Sequence, residues 1–321
     1  MKKKISYIFP IYNETDNIDL LYKTIHKLLL TRKKDYNFEI IFVNDGSKDD
    51  SLEKLLAIQK HDSRVSVINF ARNFGHQLAV TAGLDHSTGD AVIIMDSDMQ
   101  DPPKVSLELI DKWEEGYDVV YAQRRTRQDS MFKKATASGF YWLLRRLADI
   151  EIPPNTGDFR LVSRRVVDTL GEFKEHNRFL RGLISYVGFN QVAVSFDRHE
   201  RHAGTTKYPL KKMLKFAGDG IFGFSWSPLK LISRLGYIMS SLSFVGIIYV
   251  IGLKLFDPSA AVHGWTFASA AVLLIGGIQL MTLGVLGNYI GRIYTEAQNR
   301  PLYIVESVRG SLEKTGKNKR R

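Results

Sequence analysis

Residues 91–103, Ala91-Val-Ile-Ile-Met-Asp-Ser-Asp-Met-Gln-Asp-Pro-Pro103, decide how this chain is read. The run Ala91–Met95 is apolar and rich in β-branched residues, the signature of a strand buried on both faces in a parallel sheet. It ends abruptly in Asp96, Ser97 and Asp98, followed by Gln100 and Asp101, and Pro102-Pro103 stop the strand. Carboxylates at the carboxyl end of a parallel strand sit where open α/β sheets bind ligands. Clustered carboxylates repel one another, so a cation is the simplest way to keep them ionised together. An oxygen-only donor set this small suits Mg²⁺ or Mn²⁺ shared with a phosphate. A solvated acidic turn is the competing reading of the same residues.

The flanking sequence repeats the pattern. Strand-like segments at Ile5–Phe9, Glu39–Val43, Val65–Asn69 and Asp118–Tyr121 alternate with helical patterns at Thr15–Thr31, Asp50–His61, His76–His86 and Lys104–Glu115. Such βα repeats predict a mostly parallel sheet covered on both faces. The first strand runs into Pro10-Ile11-Tyr12-Asn13-Glu14. The second runs into Asn44-Asp45-Gly46-Ser47, with Asp49, Asp50 or Ser51 as the cap of the next helix. Glu14, Asp45 and Asp96 each read as an ordinary helix cap when taken singly. Three on one sheet edge predict a shared polar pocket.

Beyond residue 123 the character changes. Arg124, Arg125 and Arg127 form a basic turn, and Phe132–Ala148 reads as an amphipathic helix, either core-facing or lying on a membrane surface. A polar loop at Asn155–Leu161 enters a short strand. In Asp197–Tyr208, Arg198, Arg201 and Lys207 surround the small-residue turn Ala203-Gly204-Thr205-Thr206, which is good phosphate-binding chemistry or an exposed basic loop. Tyr208–Phe224 mixes apolar residues with Lys211, Lys212 and Lys215. It predicts an interfacial helix, with packing on the soluble domain as the alternative.

Two long uncharged runs follow, Leu235–Leu253 and Trp265–Gly291. The first spans about 28 Å as a helix at 1.5 Å per residue. Lys and Arg are absent from Asp257–Gly264 and frequent on the outer flanks, so the positive-inside rule places both termini in the cytoplasm. The expected organisation is a catalytic domain over 1–208, an interfacial segment over 209–230, two transmembrane helices (233–255 and 265–290) and a cytoplasmic tail over 293–321.

The whole chain has 321 residues, 45 Lys and Arg against 34 Asp and Glu, and a net charge of +11. The positive balance points to a polyanion or an anionic bilayer. Nucleic acid is disfavoured, because much of the charge flanks the membrane runs and no nucleic-acid motif is present. With no cysteine, disulfides and thiolate catalysis are excluded. No apolar h-region follows Met1–Lys4, so no cleavable signal peptide is expected.

Five ordered motifs together resemble one family: Pro10–Glu14, Val43–Ser47, Asp96–Pro103, Asn155–Leu161 and Arg201–Tyr208. With the two apolar runs, they make the chain similar to the family 2 polyprenyl-phosphate glycosyltransferases of GT-A fold. The similarity is strongest to the bactoprenol glucosyltransferase branch and more distant to dolichyl-phosphate mannose synthase. Ser97 stands where that family more often has Ala. The resemblance implies that Pro10, Tyr12, Glu14 and Asp45 line the nucleotide. It implies that Asp96 contacts ribose and metal, and that Asp98 with Gln100 holds Mg²⁺ or Mn²⁺ on the diphosphate. Arg201 and Lys207 would meet phosphate, with Arg124 and Arg127 as further candidates by position. Asp158 would be a general base or an orienting group. The implied reaction is inverting transfer of a hexose, glucose from UDP-glucose favoured, to undecaprenyl phosphate at the membrane, by a homo-oligomer expected to be a tetramer. Mannose, an N-acetylhexosamine or amino-arabinose as donor sugar, or a nucleotide-sugar-binding membrane partner without turnover, are the alternatives. A processive polysaccharide synthase would carry Gln-x-x-Arg-Trp and more spans, and this chain has neither.

Overall fold

The computed structural model describes residues 2–125, 153, 156–176, 178–197, 227–256 and 265–313. The expectations for Phe132–Ala148 and Tyr208–Phe224 therefore lie outside the described residues. The described residues fall into two compact units, one holding the sheet and residues 301–313, the other holding the two long helices.

The sheet unit opens with β1 (Lys4–Ile11), α1 (Thr15–Thr31), β2 (Asn37–Asn44), α2 (Ser51–His61), β3 (Val65–Phe70), α3 (His76–His86), β4 (Ala91–Ile94), α4 (Val105–Glu114) and β5 (Val119–Arg124). The alternation expected from the sequence is present element for element. Then come β6 (Thr156–Ser163), α5 (Arg164–Glu172), α6 (Leu180–Tyr186) and β7 (Gln191–Phe196). The second unit is α7 (Ser227–Phe256) and α8 (Trp265–Ala297), after which the chain returns to the sheet as β8 (Val305–Arg309). That last strand lies in the segment expected to be a tail.

One eight-stranded sheet results, in the order β7-β5-β6-β4-β1-β2-β3-β8. The pairs β1–β2, β2–β3, β1–β4 and β5–β7 are parallel; β6 and β8 run against their neighbours. The chain moves outward from β1 through β2 to β3, then crosses back to place β4 on the other side of β1. That reversal opens a crevice at the carboxyl ends of β1 and β4, the switch point where α/β folds bind ligands.

The strands are buried on both faces. Ile5, Tyr7, Phe9 and Ile11 of β1 pack in one cluster with Ile18, Leu21, Ile25 and Leu29 of α1 and with Leu109 and Ile110 of α4. Each such side chain contributes about 1.5–3 kcal/mol of burial. On the opposite side Ile8 meets Gly83 of α3, where a Cβ would stand 2.3 Å from Ile8 Cγ2. A glycine there is what lets the helix approach the strand.

Among the described residues one helical stretch, Leu274–Ala297, is long and apolar enough to cross a membrane, with mean hydropathy 1.3 and no part buried.

Candidate active site

The three acidic strand ends behave differently. At the first, the Glu14 carbonyl accepts the Asn17 and Ile18 N–H groups, and its carboxylate takes the Asn17 amide at 2.6 Å, so Glu14 organises the start of α1. Pro10 is buried, with its N-side facing the β4 side of the strand, just past the last β1–β4 pair, Ile8–Ile94. No ladder hydrogen bond is lost to it there. Tyr12 is 37% exposed beside it.

At the second, Asp45 is almost fully buried and collects backbone donors. Phe74 N–H reaches Oδ1 at 2.6 Å, Gly75 N–H reaches Oδ2 at 2.9 Å and the Asn73 amide reaches Oδ2 at 3.0 Å. Burial pushes the carboxyl pKa up and outweighs the Phe74 and Gly75 N–H donors and the charges of His76 and Arg72. Asp45 therefore clasps the loop after β3. Gly46 makes the clasp possible: its φ is +63°, and a Cβ would lie 2.5 Å from the backbone of Arg72 and Asn73. The N-cap of the neighbouring helix is Asp50, which makes no side-chain cap bond; Asp49, just before it, takes the Ser51 N–H at 3.1 Å on Oδ1 and the Thr15 N–H at 3.3 Å on Oδ2.

At the third, the antiparallel pairing of β4 with β6 does the placing. Ile94 pairs with Arg160, and continuing that register past the strand end sets Asp158 across from Asp96. His76, first residue of α3, lies between them, with Nε2 at 3.0 Å from Asp158 Oδ2 and 3.7 Å from Asp96 Oδ1. Arg181 Nε donates to Asp158 Oδ1 at 2.7 Å, and the Gln77 amide reaches Oδ2 at 3.3 Å. Gln77 Oε1 in turn accepts the Leu180 N–H at 3.0 Å, which fixes the start of α6 and hence Arg181.

Burial disfavours charge on both carboxyls, yet the two diverge. Arg181 and His76 hold Asp158 well below the usual carboxylate range. Asp96 is pushed up by burial and by the charges of Asp158 and Asp98, with His76 opposing. Burial also acts to lower the His76 pKa, but the hydrogen bond to Asp158 and the charge of Asp96 outweigh it and push it up to about 9. His76 also acts electrostatically on Asp45, so one imidazolium links the second and third strand ends.

After Asp96 the chain turns sharply. Gln100 N–H donates to Asp98 Oδ1 at 3.1 Å, and Met99 adopts φ +57°, unusual for a side chain of its size. Asp101 is buried, and Arg124 Nη2 comes within 3.7 Å of its Oδ1. Gly157 makes room: a Cβ there would stand 3.2 Å from Arg124 Nη2. Arg124 thus packs against the acidic turn. Arg127, Arg201 and Lys207 lie outside the described residues.

Among the described residues no three His, Asp or Glu side chains converge as a closed metal cage. Asp96 and Asp98 do offer an oxygen-only donor set whose mutual repulsion raises the Asp96 pKa. Such a set fits a hard divalent ion that takes its remaining ligands from a diphosphate.

Sequence reading missed His76, Gln77 and Arg181. The first two follow the end of β3 through Gly75, whose φ of +104° marks a tight turn, so the rule that found Asp45 and Asp96 applies to them as well. Nothing in the sequence around Arg181 distinguishes it.

Comparison with known proteins bears on what this crevice does. The model of the family described as Glycosyl transferase family 2 matches residues 6–171. The uncharacterized glycosyltransferase YkcC of Bacillus subtilis (strain 168) is 50% identical over 313 residues, 97% of this chain and 96% of the relative. The prophage bactoprenol glucosyl transferase homolog of Escherichia coli (strain K12) is 41% identical over 308 residues, 95% of this chain and 99% of the relative. The bactoprenol glucosyl transferase of Shigella phage SfX is 41% identical over 306 residues, again 95% and 99%.

Proposed function

Because the chain belongs to glycosyl transferase family 2, we propose that it moves glucose from a nucleotide diphosphate sugar, UDP-glucose, to the phosphate of a polyprenyl phosphate such as undecaprenyl phosphate. The observation that carries this reading is the Asp96–His76–Asp158–Arg181 row at the β1–β4 crevice, in a chain alike end to end with bactoprenol glucosyl transferases.

The nucleotide lies over Pro10, Tyr12, Glu14 and the loop clasped by Asp45. Asp96 and Asp98, with Gln100, would hold Mg²⁺ or Mn²⁺, which when bound neutralises charge on the leaving diphosphate. The acceptor oxygen attacks the anomeric carbon in line and inverts it. A lipid phosphate is already an anion at neutral pH, so no proton need be abstracted. Asp158 has cationic donors on both oxygens, which supports an orienting role over that of a base. Arg201 and Lys207, with Arg127, supply phosphate contacts, while Arg124 anchors the acidic turn.

A lipid acceptor requires the crevice to be held at a bilayer. Two spans meet that need, with the catalytic domain and both termini in the cytoplasm. The path of the chain supports this: β8 follows α8 and joins the sheet that β1 begins, so a crossing by α8 must be matched by another. Helix α7, at 30 residues, has the length for it. Assembly as a homo-tetramer belongs to the same reading.

The test is to incubate membranes containing the protein with undecaprenyl phosphate and a panel of labelled nucleotide sugars, then extract lipid. One glucose on a chloroform-soluble lipid is the expected product; label from another sugar corrects the donor, and a polymer or no labelled lipid refutes the reading.

A further inference from the structure

Strand β8 meets β3 through a β-bulge. Asn69 pairs with Ser307 and Phe70 with Val305, which leaves Glu306 as the extra residue. Bulges re-aim side chains, and here the Glu306 carboxylate accepts the Asn69 amide N–H at 2.7 Å. Asn69 Oδ1 then accepts the Asn44 amide N–H at 2.7 Å. A carboxylate only accepts, so Glu306 dictates which way both buried amides face. Asn44 immediately precedes Asp45.

A second chain of contacts reaches the same loop. Tyr303 stacks on Phe70 with ring centroids 5.1 Å apart, and Phe70 packs edge-on against Phe74 at 5.6 Å. Phe74 N–H is the short donor to Asp45 Oδ1. The Tyr303 hydroxyl donates to Asp85 of α3 at 2.7 Å, and Ile304 O accepts the Ala71 N–H at 3.1 Å. The 303–306 segment thus holds Asn69–Ala71, where the stretch carrying Asp45's donors and His76 begins, and Asp85 in the last turn of the helix that His76 opens.

We propose that Tyr303 and Glu306 are positioning residues for donor binding: they hold the 70–76 loop, and through it Asp45 and His76, in the geometry that receives the nucleotide. This deepens the glycosyl-transfer reading and rests on it. Neither residue reaches the reacting atoms. They act through Phe74, Asn69 and Asn44, so their loss weakens donor binding and leaves acceptor binding in place.

The full-length protein in detergent tests this with Tyr303→Ala, Tyr303→Phe, Glu306→Ala and Glu306→Gln. Hydrogen exchange of peptides covering 70–76 is measured beside KM for UDP-glucose and for undecaprenyl phosphate. Expected for both Ala variants are faster exchange confined to 70–76 and an increase of about tenfold in donor KM. Acceptor KM should stay near wild type. Glu306→Gln, which keeps an acceptor, should restore both readouts, and Tyr303→Phe, which keeps the stack but loses the bond to Asp85, should fall between Tyr303→Ala and wild type in both. Unchanged exchange in the Ala variants overturns the proposal, as does a uniform loss of protection with equal changes in both KM values. A wild-type protein that forms no glycosyl lipid refutes the functional reading, and the exchange data still decide whether 303–306 holds the loop.

Discussion

Arg181 Nε donates to Asp158 Oδ1 at 2.7 Å while His76 occupies the other carboxylate oxygen at 3.0 Å. A carboxylate held between two cations is a poor proton acceptor. Asp158→Asn keeps the shape and one acceptor oxygen, so transfer should stay within about tenfold of wild type, whereas Asp158→Ala should lose about a hundredfold or more. Single-turnover rates on the two variants check this. Equal, near-total loss in both would make Asp158 the base.

The oxygen donors at the crevice mouth lead to a second expectation. Asp98→Ala should abolish transfer and leave the protein in the membrane pellet after a high-salt wash. Chelation of divalent ions from the wild type should abolish transfer too, with Mg²⁺ or Mn²⁺ restoring it. Turnover near wild type in the variant would remove Asp98 from the metal site.

Gly46 is a third point of attack. At φ +63° an added methyl costs about 1–2 kcal/mol of backbone strain, and its Cβ would fall 2.5 Å from the backbone of Arg72 and Asn73. Gly46→Ala should lower the thermal midpoint by several degrees and raise the donor KM, read by thermal unfolding and initial rates.

A fourth expectation concerns pH. Asp62 accepts from Arg64 Nη2 at 2.6 Å and from the Tyr22 hydroxyl at 3.0 Å. The Arg64 hydrogen bonds outweigh burial and hold its carboxyl far below the usual range. A depressed folded-state pKa stabilises the fold fully above the unfolded value, about 4, and the gain is lost as pH falls. Asp62→Asn should therefore lower the thermal midpoint at pH 7, with the gap to wild type closing below about pH 4. A gap that persists or widens in acid would show that Asp62 acts by packing.

Much of this was legible from local pattern. The segments Ile5–Phe9, Glu39–Val43 and Ala91–Met95 are mostly apolar because both faces of the sheet are covered, and that run of residues is visible in the sequence. The acidic residues Glu14, Asp45 and Asp96 follow the carboxyl ends of β1, β2 and β4, as their places after the apolar runs indicate. The missing parts are non-local. Nothing near Val305 names Val67–Phe70 as its partner, and the register that brings Asp158 to Asp96 is a property of β4 and β6 together. Arg181 comes from a seven-residue helix whose placement depends on Gln77, far away in the chain.

The return of β8 to the sheet also sets how this protein can be cut. A version ending before Ser227 would lose the strand that covers β3, leaving the N–H and C=O groups of Val67–Phe70 exposed as a template for intermolecular pairing. Such a truncation should come out of solution as aggregate. An excision that removes the two long helices but splices residues 301–313 back on would keep that edge closed, and is the form in which the sheet unit should be sought by itself.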